Sequence, residues 1–262
     1  MRLDSFLPWR RRKKEEVAHD QTVSSVYPKS IGHLKHVPNT NMRFLGLKVF
    51  QDIHGRLFYN ITKNPKDQMF LARLVKGVMS VSDVLYDPDS GKYYSYEIPL
   101  DTVEPQGENK DEYADTLIMR YVFNDADHMG IHNIATSKDG KRHAFYDFEM
   151  FIHFWSNGDF IQTDDLSFLA HRTKEEYGAT KERLISLKNH LSGEGGRNFM
   201  TGILNDLRTL PGDLPEVFRR QRVSGVEIQP TVEMFQDEVL RRIDAMLGHL
   251  AYEPNDKNIK NT

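Results

Sequence analysis

The apolar positions of this chain change their spacing part-way along. Up to about residue 98 they fall in short runs, rich in aromatic and β-branched residues and broken by turn-forming clusters, which predicts strands. Ile31 to Val37, Met42 to Phe50 and Arg56 to Lys63 form three such runs, separated by Pro38-Asn39-Thr40-Asn41 and Asp52-Ile53-His54-Gly55. Tight turns between sequential strands predict an antiparallel meander. Asp67 to Lys76 then reads as a short helix, entered behind Pro65 and stopped at Gly77 in a left-handed conformation. Val81 to Tyr86 and Lys92 to Ile98 make a hairpin around Asp87-Pro88-Asp89-Ser90-Gly91.

Residues 99 to 112 are rich in Pro, Gly and acids, which reads as a connection between two lobes. Beyond it the pattern becomes helical. Glu112 to Phe123 clusters Leu117, Ile118, Tyr121 and Val122 on one side. His171 to Leu191 contains a charged helix, Arg197 to Leu210 a second and Pro215 to Arg222 a shorter one. Thr231 to Leu250 is the clearest, with Phe235, Val239, Ile243, Met246, Leu247 and Leu250 at helical spacing behind Pro230. The expected class is α+β in two lobes: 30–100 β-rich, 101–112 linker, 113–252 mainly helical, with polar tails at 1–29 and 253–262. The 145–154 aromatics and Trp155 are expected in the core.

With 262 residues the chain is long enough to bury a sizeable core. A net charge of -3 gives no global argument for nucleic acid, so any basic role is local. Arg10 to Lys14 are five consecutive cations behind Phe6, Leu7 and Trp9, the reverse of the order in a secretory signal. That tract reads as a solvated tail; a weak membrane-surface contact through residues 6–14 and a nuclear-import-like tract are the functional alternatives. The chain has no cysteine, which excludes thiolate metal sites and a Cys nucleophile and fits a cytoplasmic location. The oligomeric state is left open.

The chemistry concentrates between Tyr121 and Ile152. Asp125, Asp127, His128, His132 and Asn133 precede a Lys138-Asp139-Gly140-Lys141 turn, after which Asp147 and Glu149 interrupt an aromatic run. A charged Asp wedged between Tyr146 and Phe148 needs a compensating partner. The turn predicts a hairpin in which Ile134-Ala135 pairs with Ala144 to Phe148, so that Asn133 and Asp147 converge at one end. An amide oxygen and a carboxylate are hard ligands suited to Mg²⁺, which completes its shell with water and phosphate. Asp127 or Asp125 could orient a hydroxyl or accept its proton.

An acid followed by His, then an Asn leading into a short hairpin that ends in apolar-Asp-Phe, resembles the catalytic core of the protein-kinase-like superfamily. The likeness is to its atypical branches: phosphatidylinositol kinases, HipA-type kinases and aminoglycoside phosphotransferases. The resemblance implies a bilobal kinase-like fold with Mg-ATP bound between an antiparallel β-rich lobe and a helical lobe. It implies Asp127, or Asp125, as the catalytic acid/base, with Asn133 and Asp147 as metal ligands. It further implies Lys63, or its rival Lys48, as the phosphate-pairing lysine and a nucleotide-binding hinge near Glu97 to Leu100. The reaction implied is transfer of the γ-phosphoryl group to a hydroxyl of a protein, small molecule or lipid. In this sequence Asp127 precedes Asn133 by six positions where those families usually have five, and Glu149 stands where protein kinases have Gly. There is no G-x-G-x-x-G, and the helix from Asp67 has no central Glu to hold Lys63, leaving Asp67 as a substitute.

Two readings from other classes compete. His128 and His132, four apart, could bind Zn²⁺ or Fe²⁺ together with Asp125 or Asp127, as in a metal-dependent hydrolase. The missing glycine loop suits a kinase-like binding module without catalysis.

Overall fold

A computed structural model describes residues 34–37, 49–55, 57–96, 110–124, 134–136, 143–145, 154–155, 174–223 and 225–250. Within them the fold is mixed α/β. A five-stranded antiparallel sheet is built from β1 (Lys35–His36), β2 (Val49–Gln51), β3 (Leu57–Ile61), β4 (Val84–Asp87) and β5 (Lys92–Tyr96), in the order β1-β2-β3-β5-β4. Helix α1 (Pro65–Leu74) follows β3. Then come α2 (Lys110–Tyr121), the hairpin β6–β7 (Ile134–Thr136, His143–Phe145), α3 (Lys174–Leu191) and α4 (Gly193–Arg208). A 3-10 turn (Glu216–Phe218), the hairpin β8–β9 (Gln221–Val223, Val226–Ile228) and α5 (Val232–Leu250) complete the described elements.

Alternation along the strands sorts the sheet into two faces. Val49, Tyr59, Ser95 and Val84 are cross-strand partners and share one face. Val49, Tyr59, Ile61, Tyr93 and Val84 belong to a continuous core that runs through α1 and on to α2, α3, α4 and α5. On the opposite face Phe58 and Tyr94 bury a smaller cluster with Leu34, Phe50 and Leu85. The β4–β5 turn is set by Asp87, whose carboxylate accepts from the Asp89 and Ser90 amides while Gly91 takes φ 67°. Gly77, at φ 83°, breaks the chain away after α1.

The helices are pinned by buried polar groups. Asp115 of α2 is fully buried and pairs with Arg183 Nε of α3 at 2.9 Å. Arg183 also donates to the Val78 carbonyl just beyond α1, so one side chain joins three elements. At the α3–α4 corner Gln236 Nε2 donates to the carbonyls of Leu191 (2.7 Å) and Gly193 (2.8 Å), and its Oε1 accepts from Arg197 Nε. The bond to Leu191 satisfies a carbonyl that the end of α3 leaves without a helical partner, and the bond to Gly193 ties in the start of α4.

Several sequence expectations shift. α2 starts at Lys110, inside the stretch 101–112 read as linker, because Lys110-Asp111-Glu112 begins the helix with acids in its first turn. α4 starts at Gly193 rather than Arg197 despite three glycines in its first turn. The corner needs one of them: a Cβ on Gly196 would sit 2.1 Å from the Leu191 carbonyl oxygen. Gly196→Ala is therefore expected to destabilise the protein by about 1–3 kcal/mol, as overpacking of a tight site usually does. A thermal melt would show it, and an unchanged midpoint would mean that the corner is looser than described. The helix expected at Pro215 to Arg222 is only one 3-10 turn, followed by the β8–β9 hairpin.

Among the described residues no helix is long and apolar enough to cross a membrane.

Candidate functional site

Most of the chemistry proposed from the sequence falls outside the described residues: Asp125, Asp127, His128, His132, Asn133, Asp147 and Glu149, together with Lys48 and Glu97. The elements around that stretch are described. The β6–β7 hairpin occupies the expected place, pairing Ile134 with Phe145, Ala135 with Ala144 and Thr136 with His143. Asn133 is bonded to the first of these residues, and Asp147 comes two residues after Phe145. Lys63 lies two residues beyond the end of β3 rather than on it, exposed in the bend that leads to α1.

Both stems of the acid-rich stretch are anchored. At the end of α2 the Val122 and Phe123 amides donate to the Ile118 carbonyl, and Asn124 takes a left-handed φ of 59°. At the far stem Phe154 is buried, and the Trp155 indole N–H donates to the Val217 carbonyl at 2.7 Å. One residue joins the two stems. Arg242 of α5 donates from Nη1 to the Val122 carbonyl (3.3 Å) and from Nη2 to the Phe154 carbonyl (2.6 Å). Its guanidinium lies 4.3 Å from the centre of the Phe154 ring, and Nε bonds Glu238 at 2.7 Å. Burial works against the Arg242 charge, and Glu238 supports it. Burial also opposes charge on Glu238, but hydrogen bonds from Arg241 and Arg242 outweigh it and hold that carboxyl below its ordinary range.

A second cluster of buried charge lies at the start of α1. Lys66 Nζ donates to the carbonyls of Leu210 (2.7 Å) and Gly212 (2.9 Å), and the Tyr93 hydroxyl takes the intervening Pro211 carbonyl at 2.6 Å. Three successive carbonyls are thus satisfied by side chains from α1 and β5. Burial draws the Lys66 ammonium below its ordinary value, with Asp213 opposing, and pushes the Tyr93 phenol up to about 12. Asp67 accepts the Glu216 amide at 2.6 Å through Oδ1. The substitute role that the sequence suggested for Asp67, holding Lys63, does not match this geometry: its bonded oxygen is directed at the 3-10 turn.

Sequence reasoning missed Arg242 and the Lys66–Asp67 pair as organising residues. Glu238 and Arg242 are four apart, which on a helix signals only a pair of ordinary kind. Their carbonyl partners are distant in sequence, and no local pattern points to them. Among the described residues no group of three or more His, Asp or Glu is placed to hold a metal ion.

Comparison with known proteins brings no family model and no curated protein that matches this chain.

Proposed function

We propose that the protein is an atypical kinase-type phosphotransferase that moves the γ-phosphoryl group of Mg-ATP to a hydroxyl acceptor. The observation that supports this best is the order of elements. A five-stranded antiparallel sheet with one helix after its third strand leads into a helical half, and a short hairpin lies between Asn133 and Asp147. In this reading the sheet half and the helical half are the two lobes. Asp147 and Asn133 hold Mg²⁺, Lys63 pairs the phosphates and Asp127 guides the acceptor hydroxyl. Catalysis is then positioning and charge neutralisation around the transferred group.

Calorimetric titration with ATP, with and without Mg²⁺, tests the reading. Wild type is expected to bind ATP in a Mg²⁺-dependent way, and Asp147→Ala to lower turnover by at least about 100-fold, beyond the loss usual for an outer-shell group. Nucleotide binding that ignores Mg²⁺, or an Asp147→Ala variant with unchanged affinity and turnover, would sink it. The missing glycine loop favours one second reading, a nucleotide-binding module without transfer. Mg-ATP binding with no turnover in wild type would select it.

A further inference from the structure

Asp67 lies where two segments far apart in sequence meet. It belongs to the first turn of α1, and its Oδ1 accepts the amide of Glu216, the first residue of the 3-10 turn. Asp67 is 1% exposed, and its Oδ2 is buried without a hydrogen-bond partner. Two short helical amino termini thus converge on a carboxyl of which only one oxygen is used.

Among the described residues, the cations near that carboxyl are engaged elsewhere. On α1 the Lys66 ammonium is turned to the Leu210 and Gly212 carbonyls, and Arg73 pairs with Asp206 of α4 at 3.7 Å. On the opposing segment the positive charge of Arg219 acts on Asp67, but Arg219 binds Glu216 at 2.9 Å, lies 3.7 Å from Asp213 and donates Nε to the Leu214 carbonyl. Glu216 adds a like charge. From β5, Tyr93 contributes a hydroxyl already bonded to Pro211. At the same junction Phe70 of α1 meets Phe218 of the 3-10 turn at 5.1 Å.

We propose that this junction is a proton-operated latch: neutral Asp67 holds the amino terminus of α1 against the 210–216 connection, and ionisation of Asp67 releases it. Burial dominates and raises the Asp67 carboxyl from its ordinary 3.8 to about 7, against the opposing pull of the Glu216 amide and Arg219. The sign follows from the unfolded or opened state, in which the carboxyl ionises near 3.8. Below that value both states carry the proton and the latch is at full strength. Between that value and about 7 the opened state alone has lost its proton, so opening becomes more favourable by up to about tenfold per pH unit. Above about 7 the ionised carboxylate stays strained and the loss is complete. Lys66 donates to the Leu210 and Gly212 carbonyls through bonds that do not involve the Asp67 carboxyl, so opening begins at Asp67 and Glu216.

The latch stands independently of the phosphotransferase reading and would give the protein a response to pH near neutrality. Two measurements on the full chain test it. A carbon NMR titration of the Asp67 carboxyl should show an inflection near 7. An inflection in the ordinary carboxylate range overturns the proposal. Amide hydrogen exchange, corrected for the intrinsic pH dependence of the chemistry, should then speed up in peptides covering 65–74 and 210–219 as the pH rises from about 5 to about 8. Asp67→Asn, which keeps an acceptor for the Glu216 amide and cannot ionise, should abolish that rise. A rise that persists in Asp67→Asn, or one spread evenly over the sheet and α5, overturns it.

Discussion

Phe235→Ala is expected to lower the stability of the protein by about 3–5 kcal/mol. Phe235 stands in the first turn of α5 with no exposed surface, and its ring meets those of Phe154 at 4.8 Å and of Phe70 and Phe218 at 5.5 Å each. Four elements, α1, the 154–155 stem, the 3-10 turn and α5, therefore converge on one side chain. Truncation removes the transfer free energy of a large aromatic group and leaves a cavity whose walls are themselves rigid rings, so collapse around it is limited. Phe235→Leu keeps much of the volume and should lose less, about 1.5 kcal/mol. Urea titration separates the outcomes: the midpoint should fall with the slope unchanged. A loss below about 1 kcal/mol for Phe235→Ala would contradict the packing described.

The same residue shows what was legible beforehand. Phe235, Val239, Ile243 and Met246 keep a spacing that only a helix places on one face, and all four are buried in α5. Asp87-Pro88-Asp89-Ser90-Gly91 carried enough local turn chemistry to fix the β4–β5 hairpin. The β8–β9 hairpin is not legible although Ser224-Gly225 sits between two short alternating runs, because strands of three residues are too short for a periodicity to show. The early start of α4 was hidden for a different reason. Glycine is a poor helix former by propensity, yet Gly196 is needed where the chain turns back against Leu191, and only tertiary contact shows it.

Of the candidate site, the hairpin between Asn133 and Asp147 was legible because its turn and flanking strands are contiguous. Lys63 was assigned to a strand that ends at Ile61, an error of boundary rather than of element. Lys66 carries no signal in the sequence beyond a polar residue at a helix start, and Asp67 reads only as a substitute partner for Lys63. Their burial depends on carbonyls and an amide more than 140 residues away. No spacing rule reaches that far.

Arg242→Gln is expected to destabilise the protein by about 3 kcal/mol and to act most strongly on the acid-rich stretch. The guanidinium is only 12% exposed, and removing it leaves the Val122 and Phe154 carbonyls and the Glu238 carboxylate without their shared donor. Lysine restores the charge but not the planar fork that spans both carbonyls, so Arg242→Lys should recover only part of the loss. Because those carbonyls belong to the two stems of residues 123–153, amide exchange should quicken there more than in β3 or β5. If the stretch also holds Mg-ATP, the nucleotide affinity of Arg242→Gln should fall by more than its thermal midpoint alone accounts for, since residues converging on one metal lose geometry before the fold is lost. Exchange that rises evenly across the molecule would instead make Arg242 a general stabiliser, with no particular hold on the stems.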